Sequence, residues 1–258
     1  MGPVDLPFDL HGSGDLRVVM IHGWFADRTT FQAVTPHLDG ETFTYAIPDL
    51  RGYGEAKRIL GEYTMAEIAG DTIALADRLG WDRFSVVGHS MGGKAAQLVA
   101  GLAAERVRRL VGISPVPASG TGFDAATALH FAEAADDPAV RRGILDYSTG
   151  GRLPDRWLDA MVQRSLDCSA RDAFAAYLPR WSSDDLHERV VGSQVPALAV
   201  VGGRDPDLNA DVMRQTWTQW FKHSEVRELP DAGHYPMDET PLALVSIIEN
   251  FLSAPDAT

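Results

Sequence analysis

One serine of the chain, Ser90, lies in a pattern suited to nucleophilic chemistry, the Gly-His-Ser-Met-Gly of residues 88–92. The apolar run at residues 85–87 predicts a strand that ends just before this pattern, and the small residues from Met91 onward predict a helix directly after it. In Gly-x-Ser-x-Gly the serine occupies a sharp strand-to-helix turn that lifts its hydroxyl above the sheet. The free N–H groups at the start of the helix could also stabilise an oxyanion. The pattern predicts a nucleophilic serine.

An acid and a histidine follow in matching positions. Asp205 comes after the apolar run at residues 198–201, and His234 comes after a final predicted strand at residues 226–229. Both would lie at the carboxyl ends of strands, where open α/β sheets place their sites, in the chain order serine, acid, histidine. Histidine would accept the serine proton, and the aspartate would orient the imidazole.

Each of these residues also has a plainer interpretation. Ser90 could simply cap a helix, and His234 could be a loop histidine bonded to the backbone. Asp207 lies two residues after Asp205, and either carboxylate could turn toward the histidine. The agreement of three separate placements favours the catalytic interpretation.

Other chemically able residues are interpreted as structural. His22 and His89 are expected to brace loops, and Arg51 is expected to brace a loop rather than to bind an anion. Residues 88–94 match most of a phosphate-binding loop, but Ala95 stands where the hydroxyl that holds magnesium is required. No nucleotide, other cofactor or metal is therefore expected.

The elements that must position these residues alternate along the chain. Short apolar runs predict buried parallel strands, beginning with a strand near residues 8–10, and helical patterns separate them. Thr64 followed by Glu67 predicts a capped helix start, and Pro241 predicts the first turn of the last helix. The alternation predicts an α/β fold with a mostly parallel, doubly wound sheet.

One segment breaks this alternation. Residues 117–191 contain helical patterns, no strand pattern and many aromatic residues, which predicts a helical lid inserted into a core of residues 1–116 and 192–258. Candidate pocket residues are Phe25, Tyr147, Trp157 and Trp181.

The chain resembles the α/β-hydrolase superfamily, in its lidded group of esterases, lactonases, haloperoxidases and C–C hydrolases. Beside the serine pattern, the resemblance rests on His-Gly-Trp at 22–24, Asp-Leu-Arg-Gly-Tyr-Gly at 49–54 and Gly-His at 233–234. Two departures are a short N-terminus, which leaves room for one of the usual first two strands, and Glu-Ala at 55–56, where relatives often carry a serine.

The resemblance implies an oxyanion hole made of two backbone N–H groups. Carried over to this sequence, these belong to Trp24 and Met91, and the loop could shift the first role to Phe25. It also implies the α/β-hydrolase fold and the catalytic triad Ser90, Asp205 and His234.

Composition excludes several classes of function. With 258 residues and a formal net charge of −13, the chain is expected to repel nucleic acid. The single cysteine, Cys168, excludes an internal disulfide, and no apolar run is long enough for a membrane span. The first residues lack the charged and apolar segments of a secretory signal, which favours a cytoplasmic protein.

These observations predict a serine hydrolase acting on a carboxylic ester or lactone of a small, largely apolar molecule, through an acyl-enzyme on Ser90. The same three residues could instead serve C–C hydrolysis, hydroxynitrile cleavage or cofactor-free perhydrolysis. A ligand sensor that closes on a slowly hydrolysed molecule is the third alternative. The sequence indicates neither the substrate nor the oligomeric state.

Overall fold

The computed structural model describes residues 2–255, in which the chain forms a seven-stranded sheet with helices packed against it. Met1 and residues 256–258, which the predicted core range includes, lie outside the described residues. The strands are β1 (Phe8–Gly12), β2 (Leu16–Ile21), β3 (Phe43–Pro48), β4 (Phe84–His89), β5 (Val107–Ile113), β6 (Ala197–Gly202) and β7 (Ser224–Leu229). The helices are α1 (Met65–Arg78), α2 (Met91–Leu102), α3 (Ala125–Glu133), α4 (Pro138–Ser148), α5 (Asp155–Cys168), α6 (Arg171–Ser182), α7 (Ala210–Gln215), α8 (Trp217–Trp220), α9 (Pro236–Glu239) and α10 (Pro241–Leu252). None of the helices within residues 2–255 combines the length and hydrophobicity that crossing a bilayer requires.

The predicted fold class is confirmed by the order of the strands, β1-β3-β2-β4-β5-β6-β7. The chain starts with β1 at one edge, crosses to β2 near the middle of the sheet, and returns to place β3 between them; β4 to β7 then follow in order on the other side of β2. All neighbouring strands run parallel except β1, which pairs antiparallel with β3 at the edge. The single first strand predicted near residues 8–10 is this edge strand.

The central strands are buried on both faces, as their apolar runs predict. Every residue of β4 and every residue of β6 is buried. A strand covered on both faces cannot alternate polar and apolar residues, because each side chain meets a helix on one side or the other. Because β4 to β7 run parallel, β4, β6 and β7 end at the same edge of the sheet, so residues that directly follow them can share one site.

The start of α1 shows a capped turn that differs slightly from the predicted capping box. The hydroxyl of Thr64 accepts the N–H of Glu67 at 3.1 Å, as predicted. The Glu67 carboxylate bonds the N–H groups of Glu62 and Tyr63, at 3.2 and 3.0 Å, instead of that of Thr64. The side chain therefore fixes the loop that enters the helix as well as the helix end.

Four helices, α3 to α6, occupy the segment between β5 and β6 where a lid is expected. The end of α6 is tied to the core by Lys94 of α2, whose buried ammonium donates to the carbonyl oxygens of Trp181, at 3.0 Å, and Asp184. The ring of Phe174 in α6 stacks on Trp24 with ring centres 3.9 Å apart. In contrast, α3 has no buried residue. The insertion is thus packed firmly at α6 and loosely at α3.

Candidate active site

Ser90 occupies the turn between β4 and α2 with a positive φ of 53° and a ψ of −117°. Two glycines make this turn sterically possible. A Cβ atom on Gly88 would lie 2.2 Å from the carbonyl oxygen of Gly92, and one on Gly92 would lie 2.4 Å from that of His22. Contacts this short exclude a side chain, so the glycines of the Gly-x-Ser-x-Gly pattern are required by the crowding of three chain segments.

The side chains of Ser90, His234 and Asp205 form a continuous hydrogen-bonded series. The Nε2 atom of His234 lies 3.0 Å from Oγ of Ser90, and its Nδ1 atom lies 2.7 Å from Oδ2 of Asp205. Because a carboxylate only accepts, Nδ1 carries the proton and Nε2 presents a lone pair to the serine hydroxyl. Asp205 and His234 are 4% and 9% exposed, so the bond between them is shielded from water, whereas the Ser90 hydroxyl faces the cavity.

Backbone N–H groups determine which of the two nearby carboxylates, Asp205 or Asp207, contacts His234. Oδ1 of Asp205 accepts the N–H groups of Asp207 and Leu208, at 3.1 and 3.0 Å, which leaves Oδ2 turned toward His234. Asp207 is exposed, and its Oδ1 atom lies 3.3 Å from the Tyr147 hydroxyl that donates to it. Asp205, not Asp207, is the carboxylate that meets the histidine.

Backbone N–H groups are available beside the serine hydroxyl. Within residues 2–255, neither the N–H of Met91 nor that of Trp24 meets a hydrogen-bond acceptor of the protein, and the same holds for Phe25. A Cβ atom on Gly23 would lie 3.3 Å from Cβ of Ser90, so the loop that carries Trp24 and Phe25 passes directly against the serine. The Trp24 ring is fixed by its Nε1 donation to the Phe174 carbonyl oxygen at 2.7 Å.

A cavity opens above Ser90 and holds about 690 Å³, part of it open to solvent. Three of the four predicted pocket residues, Phe25, Tyr147 and Trp181, line it. The walls are mainly apolar, and the residues that sequence reasoning did not single out as pocket residues include Ala26, Val116, Phe123, Phe131, Ile144, Leu208 and Tyr235. Phe123 and Phe131 belong to the aromatic-rich insertion, and this location could have identified them as pocket residues from the sequence. Tyr235 directly follows His234, and no feature of the sequence marks it as a pocket residue.

The prediction that Trp157 lines the pocket is wrong for the cavity described above. Its indole lies outside that lining, packs edge-on against Tyr235 with ring centres 5.5 Å apart, and donates to Asp238 at 3.1 Å. Tyr235, by contrast, both lines the cavity and contacts Trp157. Trp157 therefore supports the cavity wall from behind.

The two other buried histidines bond the backbone, as expected of bracing residues. His22 donates from Nδ1 to the Gly23 carbonyl oxygen at 2.9 Å and accepts the N–H of Leu50 at 3.0 Å. His89 bonds the carbonyl oxygen of His234 at 2.9 Å. Burial lowers the pKa of His22, and burial followed by the neighbouring His234 lowers the pKa of His89 well below its usual value. Both rings are thus neutral at pH 7.

Arg51 is committed to structure and offers no anion site. Its guanidinium is 1% exposed and bonds both carboxylate oxygens of Asp71, at 2.7 and 2.8 Å. A second carboxylate, that of Glu67, lies 3.0 Å away. Two buried acids thus neutralise one buried base and hold the loop after β3 against α1.

Comparison with known proteins places this chain in a family. A model described as alpha/beta hydrolase fold matches residues 17–241. The dihydrolipoyllysine-residue acetyltransferase component of an acetoin cleaving system from Pseudomonas putida is 30% identical over 235 residues, covering 88% of this chain. The 2-hydroxymuconate semialdehyde hydrolase of Pseudomonas putida is 28% identical over 219 residues, covering 81% of this chain and 77% of that protein.

The relatives differ in how much of their length the chain represents. The chain spans 60% of the acetyltransferase component.

Among solved structures, an esterase from Exiguobacterium antarcticum superposes with a TM-score of 0.86 at 20% identity, covering 96% of this chain and 95% of that one. At that identity the similarity speaks for the fold alone. Matched by the family model over most of its length, the chain belongs to the α/β-hydrolase family.

Proposed function

We propose that this protein is a serine hydrolase that cleaves a carboxylic ester or lactone of a small, largely apolar molecule through an acyl-enzyme on Ser90. The observation that carries the proposal is the series from Ser90 Oγ through both nitrogens of His234 to Asp205, at 3.0 and 2.7 Å, beneath an apolar cavity. Ester chemistry suits this arrangement because a neutral hydroxyl needs a base in contact before it can attack a carbonyl carbon.

In the acylation step, Oγ of Ser90 bonds to the carbonyl carbon while its proton passes to Nε2 of His234. Asp205 stabilises the imidazolium through the bond at Nδ1. The carbonyl oxygen becomes an oxyanion, which accepts the free N–H groups of Met91 and of Trp24 or Phe25. Each such donor contributes roughly 3 kcal/mol of transition-state stabilisation in measured cases.

Collapse of the intermediate breaks the bond to the alcohol oxygen, which takes the proton from Nε2 of His234. In a lactone this alcohol stays attached to the acyl chain. A water molecule then attacks the ester on Ser90, giving its proton to the same nitrogen. The second collapse releases the acid and returns the proton to Oγ of Ser90.

A second candidate is hydrolysis of a C–C bond next to a carbonyl group. The similarity to the 2-hydroxymuconate semialdehyde hydrolase over most of the chain favours it. The same serine, histidine and N–H groups would serve, with a carbanion equivalent as the leaving group. The proposed ester or lactone activity and this alternative share the site and differ in the substrate.

The test compares the wild-type protein with the variants S90A and S246A. S246A is the control, because it replaces an exposed serine on α10. Hydrolysis of p-nitrophenyl butyrate should fall at least about a thousandfold in S90A and stay unchanged in S246A. A fluorophosphonate should label Ser90, as located by mass spectrometry of a proteolytic digest.

Other outcomes point elsewhere. Equal hydrolysis by S90A and wild type would overturn the assignment of the nucleophile. Turnover of a vinylogous 1,5-diketone without ester turnover would select C–C hydrolysis. Labelling of Ser90 without turnover of any ester, lactone or diketone would favour a ligand-sensing role.

A further inference from the structure

The cavity above Ser90 has an acidic rim, which no lysine or arginine of its described lining offsets. Apart from the histidines, the charged side chains among its described lining residues are Asp205 and Asp207, and this lining contains neither lysine nor arginine. Asp205 is occupied by His234 and by two backbone N–H groups. Asp207 is therefore the carboxylate whose charge is left to meet an incoming molecule.

Asp207 stands at the entrance rather than at the bottom of the cavity. It lines both the cavity above Ser90 and the adjoining outer groove, and Tyr147 does the same. The described lining of that groove also lacks lysine and arginine; its carboxylate and imidazole side chains are Asp207, Asp124 and His130. A molecule that travels through the groove to Ser90 passes the Asp207 carboxylate.

Tyr147 of α4 contacts this carboxylate. Its hydroxyl donates to Oδ1 of Asp207 at 3.3 Å, although the tyrosine itself is 55% exposed. Partial burial and the nearby charge of Asp205 raise the pKa of Asp207, whereas the tyrosine hydrogen bond and His234 act in the opposite direction. The protein's net charge of −13 adds to the negative potential at this point.

We infer that Asp207, which lies beside Tyr147 at the rim, selects substrates by charge, admitting esters with a neutral or cationic acyl end and rejecting those that carry a carboxylate. The inference rests on the proposed ester chemistry at Ser90 and names the substrate class for that site. A carboxylate in this cavity would lose hydration and find no cationic partner. An ammonium or hydroxyl group at the rim would find an acceptor in Asp207.

The experiment uses three p-nitrophenyl esters of similar length that differ in the distant end of the acyl chain. The 5,5-dimethylhexanoate is neutral, the 4-(trimethylammonio)butyrate is its cationic counterpart, and the glutarate monoester is anionic. In D207N, kcat/KM for the anionic ester should rise about tenfold and that for the cationic ester should fall by a similar factor, because a unit charge a few ångströms away is removed. The neutral ester should change less than about twofold.

The control is D211N, which removes the same charge from the exposed start of α7 outside both linings. It should leave all three rates within about twofold of the wild type. Salt at about 0.5 M should shrink the difference between D207N and the wild type, because the rim is open to ions. An anionic-to-cationic rate ratio that is equal in D207N and the wild type, or that D211N shifts as much, would overturn the inference.

A binding measurement separates this inference from the proposed reaction. In the S90A background, calorimetry with the three corresponding primary amides should rank them cationic, neutral, anionic, and the additional D207N change should remove the ranking. If the esters are not hydrolysed through Ser90 but the ranking holds, the reaction is wrong and the charge selection stands. Equal affinities for the three amides, or no binding of any of them, would refute the charge selection.

Discussion

The imidazole of His89 donates from Nε2 to the backbone carbonyl oxygen of His234, with 2.9 Å between the two atoms. A carbonyl oxygen only accepts, so the proton lies on Nε2 of His89. The residue just before Ser90 thus holds the loop that carries the proposed base. The two ring centres are 5.0 Å apart. The proposed nucleophile and base are therefore joined twice, once through their own side chains and once through this second bond.

Replacing His89 by phenylalanine should impair catalysis by loosening His234. Without the donor, the histidine loop can shift by a fraction of an ångström, and misplacement on this scale lowers kcat by about tenfold to a hundredfold. Glutamine at the same position retains an N–H donor and should recover most of the loss. The measurement is kcat and KM for p-nitrophenyl butyrate in H89F and H89Q. A loss confined to KM, or equal losses in the two variants, would contradict a positioning role.

Stability should decline in mild acid because of the two buried histidines. His22 and His89 both have pKa values lowered by burial, so the unfolded chain binds protons near pH 6.5 that the folded chain does not bind. The free energy of unfolding should therefore decrease as the pH falls below about 6.5, by up to roughly 1.4 kcal/mol per pH unit for each histidine. Above that pH the contribution is fully present.

Urea unfolding between about pH 5.5 and 8 measures this slope while leaving carboxylates largely ionised. In H89Q, the number of protons taken up on unfolding should be smaller by about one, so the free energy of unfolding should depend less steeply on pH. In H37Q, which replaces an exposed histidine, the pH dependence should match that of the wild type. A slope that is the same in H89Q as in the wild type would show that His89 is protonated equally in both states.

Removing the Arg51 guanidinium should strongly destabilise the fold. In R51M, Asp71 and Glu67 would remain buried without their cation, and loss of one partner of a buried ion pair costs about 3–5 kcal/mol. The matched control is R227M, which breaks an exposed pair with Glu225 and should cost less than about 1 kcal/mol. Urea unfolding near pH 7.5 provides the comparison. Similar losses in the two variants would argue against the structural importance of Arg51.

The strand-to-helix turn could be predicted from the sequence because the pattern that marks it is local. Gly88 and Gly92 flank Ser90 at a spacing that only this turn requires, and an apolar run ends just before it. The positions of Asp205 and His234 followed from the order of the strands, since parallel strands bring their carboxyl ends to the same edge. Both arguments use short segments of the chain.

The choice between Asp205 and Asp207 could not be made in this way. It depends on the N–H groups of Asp207 and Leu208, which turn back onto Asp205. No residue type signals the direction of an N–H group, because every residue except proline has one. The structure was needed to decide between the two carboxylates.

The pocket was predicted least well for a similar reason. Trp157 and Phe123 both lie in the aromatic-rich insertion, yet Phe123 lines the cavity and Trp157 does not. The difference arises from contacts distant in the chain, such as that between Trp157 and Tyr235. The short helices α7 and α8 were also not predicted, since four to six residues are too few for a periodic pattern.

The positive φ of Ser90 lowers the stability of the folded protein. A residue with a Cβ atom held in such a conformation costs about 1–3 kcal/mol, and the remainder of the molecule must offset this. Glycine would adopt the turn freely, so the S90G substitution should raise the free energy of unfolding. The same substitution would remove the hydroxyl on which the proposed reaction depends.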